Sequence, residues 1–158
     1  MNHDGLGAGA GEPFVLFELD GTTYALRSSD VQQLEMIEHI TPVPNSPAAV
    51  EGVVFSRGQV IPAMSLRTRF RLPKVELDLR SRLVIVRSGD RNIGLIVDAA
   101  REFRRIPPEA IKPPPDSLNA TSGQYLEGIA SVDDRLILIL NLHEIIRTVE
   151  ESAAEVEG

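Results

Sequence analysis

At 158 residues, with 42% hydrophobic and 25% charged side chains, the chain has the material for a real core and lies away from disordered compositions. Its 16 basic and 23 acidic side chains leave a formal charge of −7, so the field of the whole molecule repels nucleic acid and anionic lipid. The absence of cysteine excludes disulfides and thiol catalysis and fits a reducing compartment, and no apolar run approaches the roughly 20 residues a membrane span needs, so a cytoplasmic protein is expected.

Residues 1–12, with glycines at 5, 7, 9 and 11, lack the apolar mass to offset ordering entropy and are expected as a flexible tail. One folded domain is expected over 13–149. Phe14 to Leu19 reads as a strand, Asp20-Gly21 as a tight turn and Thr22 to Leu26 as the returning strand. Residues 28–38 fit two patterns, Val31 with Leu34 as a helical turn or Leu34 with Met36 as strand alternation; the reading is a turn running into a strand. Prolines 42, 44 and 47 keep the next stretch extended, and Ser46-Pro47 suits the cap of a short helical turn before Gly52. Three more hairpins follow: Val53 to Phe55 with Val60 to Met64, Leu83 to Val86 with Ile93 to Val97, and Ile129 to Val132 with Leu136 to Leu140. Their turns are Ser56-Arg57-Gly58, Ser88-Gly89-Asp90 and Asp133-Asp134. Only the last segment reads as a helix, because Leu142, Ile145, Ile146 and Val149 fall at i, i+3, i+4 and i+7. An acidic flexible end over 150–158 is expected after it.

The sequence echoes itself. Val50-Glu51-Gly52-Val53-Val54 matches Leu126-Glu127-Gly128-Ile129-Ala130, and both continue through a polar turn into Val60-Ile61 or Leu136-Ile137. Tyr24-Ala25-Leu26 and Ile93-Gly94-Leu95 also correspond, each after a polar turn, and both halves contain a proline-rich link. Two similar β units in tandem are expected.

No catalytic constellation emerges. His3, His39 and His143 are scattered, whereas a metal site needs three or four ligands at a recognisable spacing. Asp133-Asp134 lies in a turn, where aspartates are favoured by their bonds to nearby backbone amides. The glycines at 5–11 have neither a preceding strand nor a following Gly-Lys-Ser/Thr, and no serine sits in a nucleophile elbow. Neither an enzyme, a metal nor a cofactor is expected. A basic stretch, Arg67, Arg69, Arg71, Lys74, Arg80 and Arg82, followed later by Arg101, Arg104 and Arg105, offers the alternative of a nucleic-acid-binding β-barrel. That use needs exposed aromatics for stacking, and the two nearby, Phe70 and Phe103, read as core. A solvated face or an acidic protein partner is preferred.

The run Gly52-Val-Val-Phe-Ser-Arg57-Gly58-Gln-Val-Ile-Pro62-Ala-Met-Ser-Leu66-Arg67 resembles the CheW family of bacterial chemotaxis coupling proteins. So do, in order and spacing, the hairpin Phe17 to Leu26, Gly94-Leu-Ile-Val-Asp98, the block at Ile111, and Tyr125-Leu-Glu-Gly-Ile-Ala followed by Asp134-Arg-Leu-Ile-Leu-Ile-Leu. The resemblance covers about residues 14–149. It implies two intertwined five-stranded SH3-like β-barrels with a C-terminal helix and a hydrophobic groove between them. It further implies a non-enzymatic scaffold linking the cytoplasmic tip of a chemoreceptor, at a membrane-associated array, to the regulatory domain of a CheA-type histidine kinase. An alternative is the same adaptor role in a pathway for surface motility, development or gene expression.

By motif position, Val31, Gln33, Arg57, Gly58 and Gly94 fall where that family engages or supports its receptor interface; kinase contacts are left unassigned. Val31 also suits plain core, Gly58 and Gly94 plain turn and strand geometry, and Arg57 a local hydrogen bond. The chain departs from the family pattern with Gln33 in place of Glu, Phe55-Ser56 in place of Asn-Leu, and Ser65 in place of Asp. Loss of the acid at 33 is expected to leave the Arg57 guanidinium free for an acidic partner, in an adaptor matched to its own receptor and kinase.

Overall fold

Hairpin turns set the topology. Asp20-Gly21 (φ 52° and 80°), Arg57-Gly58 (51° and 82°) and Asp133-Asp134 (52° and 63°) all take the left-handed conformation at both central positions, the geometry whose twist matches that of the flanking strands. In the computed structural model, which describes residues 11–118 and 125–147, they join β1 (Glu12–Leu19) to β2 (Thr22–Arg27), β4 (Val50–Ser56) to β5 (Gln59–Ser65), and β10 (Leu126–Val132) to β11 (Arg135–Leu140). A further hairpin joins β6 (Arg82–Ser88) to β7 (Arg91–Val97). A 3-10 turn at Ser28–Asp30 runs into β3 (Val31–Met36), as the mixed pattern there suggests. The stretch around Pro47 makes a single turn closed by the Val50 amide on the Pro47 carbonyl at 2.9 Å. Residues 142–147 are helical and bury Leu142, Ile145 and Ile146. Of the tail expected at 1–12, residues 1–10 lie outside the described residues, as does the acidic end at 150–158, but Glu12 is already the first residue of β1 and pairs with Ile106, so the folded chain starts earlier than expected.

Two elements were not legible in the pattern. β8 (Ala99–Ile106) pairs with β1 at a sheet edge and buries only Ala99 and Ile106 among its side chains, so its charged sequence hides the strand period. Phe103, expected in the core, is 66% exposed on this strand. The one-turn helix Leu66–Arg69 is capped by Ser65, whose Oγ accepts from the Thr68 amide at 3.1 Å.

The internal echo is real, but its two units are exchanged rather than placed in tandem. One sheet runs β8-β1-β2-β11-β10-β9, where β9 is the two-residue strand Ile111–Lys112; the other runs β3-β6-β7-β5-β4. Each barrel therefore takes its long hairpin pair from both halves of the chain. Echo-related strands meet in the same manner: β2 lies parallel to β11 with Ala25 beside Ile139, and β7 lies parallel to β5 with Gly94 beside Ala63. Even the irregularities repeat, between Val50 and Gly52 and between Leu126 and Gly128. A Cβ on Gly52, where φ is 153°, would stand 2.1 Å from the Thr41 carbonyl oxygen, so a side chain there is excluded by close approach.

Three buried clusters follow from this exchange. Phe14, Leu16, Ala25, Ile106, Ala130, Ile137 and Ile139 fill the first barrel. Val54, Ile61, Ala63, Leu83, Ile85 and Ile96 fill the second. The largest cluster joins Phe17, Leu19 and Leu26 of the first sheet to Met64, Val84, Val86 and Leu95 of the second and to Leu66 of the one-turn helix, and the C-terminal helix seals it. Each such side chain contributes about 1.5–3 kcal/mol, so the two barrels share their largest source of stability and form one structural body.

A polar clamp sits beside that shared core. Arg67 reaches Asp98 with two bonds, Nε to Oδ1 at 2.8 Å and Nη2 to Oδ2 at 2.7 Å, while Nη1 donates to the Pro73 carbonyl at 2.7 Å. Asp98 also accepts from the Asp20 amide at 2.8 Å, tying the first hairpin turn to the strand junction after β7. Burial pushes the Asp98 carboxyl upward, but the Arg67 guanidinium and the Asp20 amide outweigh it and hold the group below the usual carboxylate range. The basic stretch starting at Arg67 is therefore not one solvated face. Arg67 is only 14% exposed, and Arg69 lies over the Tyr125 ring at 4.9 Å.

Candidate protein-interaction site

The second barrel has two edge strands, β3 and β4, that are not hydrogen-bonded to each other. Its seam is closed lower down by the chain after β3, where Thr41 and Val53 exchange backbone bonds of 2.8 Å in both directions. Farther along, side chains close it. Strand alternation sends Val54 and Ser56 inward from β4 and leaves Phe55 outside, 76% exposed. On β3, Leu34 packs on the shared core, so Gln33 and Glu35 lie on the opposite face, toward the seam.

One carboxylate oxygen collects the contacts there. Glu35 Oε2 accepts from the buried Ser56 hydroxyl at 2.7 Å and from Gln33 Nε2, which itself lies 3.4 Å from Ser56 Oγ. Arg57 Nε stands 3.9 Å from the same oxygen. A charge-assisted hydrogen bond contributes roughly 1.5–3 kcal/mol, whereas an ion pair this long and exposed contributes about 0–1 kcal/mol. Glu35, 26% exposed, is therefore fixed, and Arg57, 79% exposed, is loosely drawn toward it. This corrects the expectation of an isolated guanidinium at 57: the acid lost at position 33 is supplied from position 35.

The five residues singled out from the sequence divide into two groups. Gln33, Arg57 and Gly58 come together at this seam, Gly58 as the second left-handed residue of the turn. Val31 and Gly94 are not among the groups that meet there. Val31 is partly buried against the shared core. Gly94 sits in the barrel wall, in a transverse row that runs Gln33, Ile85, Gly94, Ala63. A Cβ at Gly94 would stand 2.7 Å from a Leu83 methyl, so this glycine makes room for its neighbour. Glu35 was missed because only the pairing of β3 and the position of Ser56 give it a role. Phe55 has no binding role in the sequence reading; with its cross-strand partner Val60, 67% exposed, it forms an apolar pair beside the Arg57 turn.

A cavity of about 590 Å3 opens elsewhere, between Ile40, Ile96, Arg67, Asp98, Lys74 and Leu77. Among the described residues no group of three or more His, Asp or Glu is placed to hold a metal ion, and no helix is long and apolar enough to cross a membrane. The arrangement at the seam presents an apolar pair, an exposed cation and a carboxylate held by two hydrogen bonds, which suits recognition of another protein.

Comparison with known proteins agrees. A family model described as "CheW-like domain" matches residues 13–150. The chain is similar to the chemotaxis protein CheW of Helicobacter pylori, 33% identical over 136 residues that span 85% of this chain and 81% of that protein. It is also similar to protein FrzA of Myxococcus xanthus, 27% identical over 144 residues, 90% of this chain and 89% of the relative. The crystal structure of the scaffolding protein TtCheW from Thermoanaerobacter tengcongensis superposes with a TM-score of 0.79 at 35% identity, over 85% of this chain and 92% of that one.

Proposed function

The chain belongs to the CheW-like domain family and is a coupling adaptor of the chemotaxis type, and from that premise we propose that it holds a chemoreceptor's cytoplasmic tip on one surface and the regulatory domain of a CheA-type histidine kinase on another. It acts as a scaffold rather than a catalyst, and it is recruited from the cytoplasm to receptor arrays at the membrane. The observation that carries the receptor half is the Arg57 turn, an exposed cation flanked by the exposed apolar pair Phe55 and Val60. Such a tip fits a partner surface that offers an apolar strip beside an acidic side chain. The shared core supplies the mechanical half of the reading. Because both barrels pack on one cluster, a partner bound to one barrel is held at a fixed geometry relative to a partner bound to the other, and a receptor that favours one array geometry biases the kinase held alongside it.

The test is a pull-down with CheA-type kinase and receptor fragments from the same genome, followed by titration of each binding pair. Binding to both without competition is expected. Arg57→Ala is expected to weaken receptor binding about tenfold while shifting the melting midpoint by less than about 2 °C; binding to neither partner would reject the reading. The similarity to FrzA favours a second reading, the same adaptor role in a pathway other than swimming chemotaxis, and the receptor and kinase captured in the pull-down distinguish the two.

A further inference from the structure

We propose that Gln33, Glu35 and Ser56 form one interdependent unit that positions Arg57, so that Glu35, rather than the residue at position 33, sets how this chain presents its cation to a partner. The proposal rests on the receptor-binding reading for its partner and on the geometry of the seam for its mechanism.

The three side chains depend on one another through a single oxygen atom. Glu35 Oε2 receives the Ser56 hydroxyl and the Gln33 amide and stands nearest the Arg57 guanidinium. A carboxylate only accepts hydrogen bonds, so position 33 must offer a donor while position 35 is acidic. Gln33 does so through Nε2. A glutamate at 33 would set two carboxylates against each other, with one serine hydroxyl to share between them, and that arrangement is unfavourable for like charges this close. Ser56 has its own part. It is buried at the end of β4, and an apolar side chain of similar size would remove the donor that holds the carboxylate in place at a partly buried site. Two of the departures noted in the sequence, at 33 and at 56, thus touch each other through Glu35, and each makes sense only with the others present.

The first barrel gives independent support. Its edge strand β8 carries the same irregularity as β3: Gln33 follows the slip on β3 and Glu102 follows it on β8. Arg104 stands two residues farther on, as Glu35 does. Arg104 lies 3.3 Å from Glu102 and reaches Asp133, in the β10–β11 turn, at 2.7 Å. Asp133 and Arg57 hold the same place in their turns, the first of two left-handed residues. The seam junction therefore occurs twice, with the charges exchanged. The edge-strand position of Glu35 and Arg104 is where each barrel wall meets the opposite hairpin turn, whatever sign the side chain carries.

The test uses the full chain with Gln33→Glu, Glu35→Gln, both together, Arg57→Ala, and Glu35→Gln combined with Arg57→Ala. In thermal melting, Gln33→Glu alone is expected to lower the midpoint by about 2–4 °C, and the double variant that moves the acid from 35 to 33 is expected to recover most of that loss. Additive shifts in these variants overturn the proposal. In titrations with a receptor cytoplasmic-tip fragment from the same genome, Glu35→Gln is expected to weaken binding about fivefold, and to add nothing once Arg57 is alanine, because Glu35 acts through Arg57. Parent-like binding by Glu35→Gln, or a full second loss on top of Arg57→Ala, also overturns it. A parent chain that binds no receptor fragment while the melting variants remain non-additive rejects the receptor reading and leaves the interdependent unit standing.

Discussion

The two barrels are built from echo-related hairpins, yet they differ in one buried wall pair and in the charges at the seam. In the first, the wall is Ala25 beside Ile139, the seam cation is Arg104 on the edge strand, and the turn it meets is acidic at both Asp133 and Asp134. In the second, the wall is Gly94 beside Ala63, the seam group is the anion Glu35, and the turn is Arg57-Gly58. Backbone pairing and the placement of core positions are common to both, because a one-residue slip would turn every buried side chain outward. Charge at the seam is not so constrained. Either sign works provided the partner position carries the other, so the seam is where an adaptor of this shape can acquire its own recognition chemistry at little cost to its fold.

The comparison breaks most readily at what the barrels share. Phe17→Ala empties a fully buried site in the common cluster and is expected to cost about 3–5 kcal/mol. Urea unfolding followed by circular dichroism should show one cooperative transition moved to lower denaturant; two separate transitions would mean that the barrels are independent. The clamp is next. Arg67→Ala leaves the Asp98 carboxylate without its guanidinium and is expected to cost about 3 kcal/mol at neutral pH. Because the Asp98 carboxyl titrates lower in the folded chain than in the unfolded one, the stability it supplies is complete above the ordinary carboxylate pKa and disappears as pH falls through the folded value. The gap in melting midpoint between parent and Arg67→Ala should therefore narrow from pH 7 down to about pH 2, leaving only the part that comes from the Pro73 bond, and a gap of unchanged size would contradict the assignment.

Two smaller changes make the barrels more alike. Gly94→Ala gives the second barrel the residue of the first at Ala25, but against Leu83 the added methyl is overpacked, with an expected cost of about 1–2 kcal/mol; a parent-like melting curve would show that Leu83 moves aside freely. Asp134→Gly gives the first barrel the turn residue of the second. Asp134 holds φ at 63°, so relief of that conformation is expected to raise stability by about 0.5 kcal/mol, read as a rise of 1–2 °C in melting midpoint.

Hairpins with left-handed turn residues and alternating strands could be read directly, because turn chemistry and strand period are local properties. β8 could not. Its central residues are exposed on both faces, so no alternation marks them, and its pairing depends on β1, far away in the chain. The same reason hid the exposure of Phe103 and the role of Glu35, whose three contacts come from two strands and a turn. Arg57 and Gln33 were found through their places in a motif, but the motif said nothing about the neighbour that connects them.

By itself, the sequence determined the hairpins, the echo between its halves, the apolar stripe of the last helix and the resemblance to a family of adaptors. These are set by patterns within a few tens of residues. Only the tertiary structure decided that the halves exchange hairpins, that Arg67 and Asp98 clamp the result, and that Glu35 answers Arg57. Each of those depends on strands distant in sequence being brought within hydrogen-bonding reach, and no local pattern records which distant partner a strand will choose.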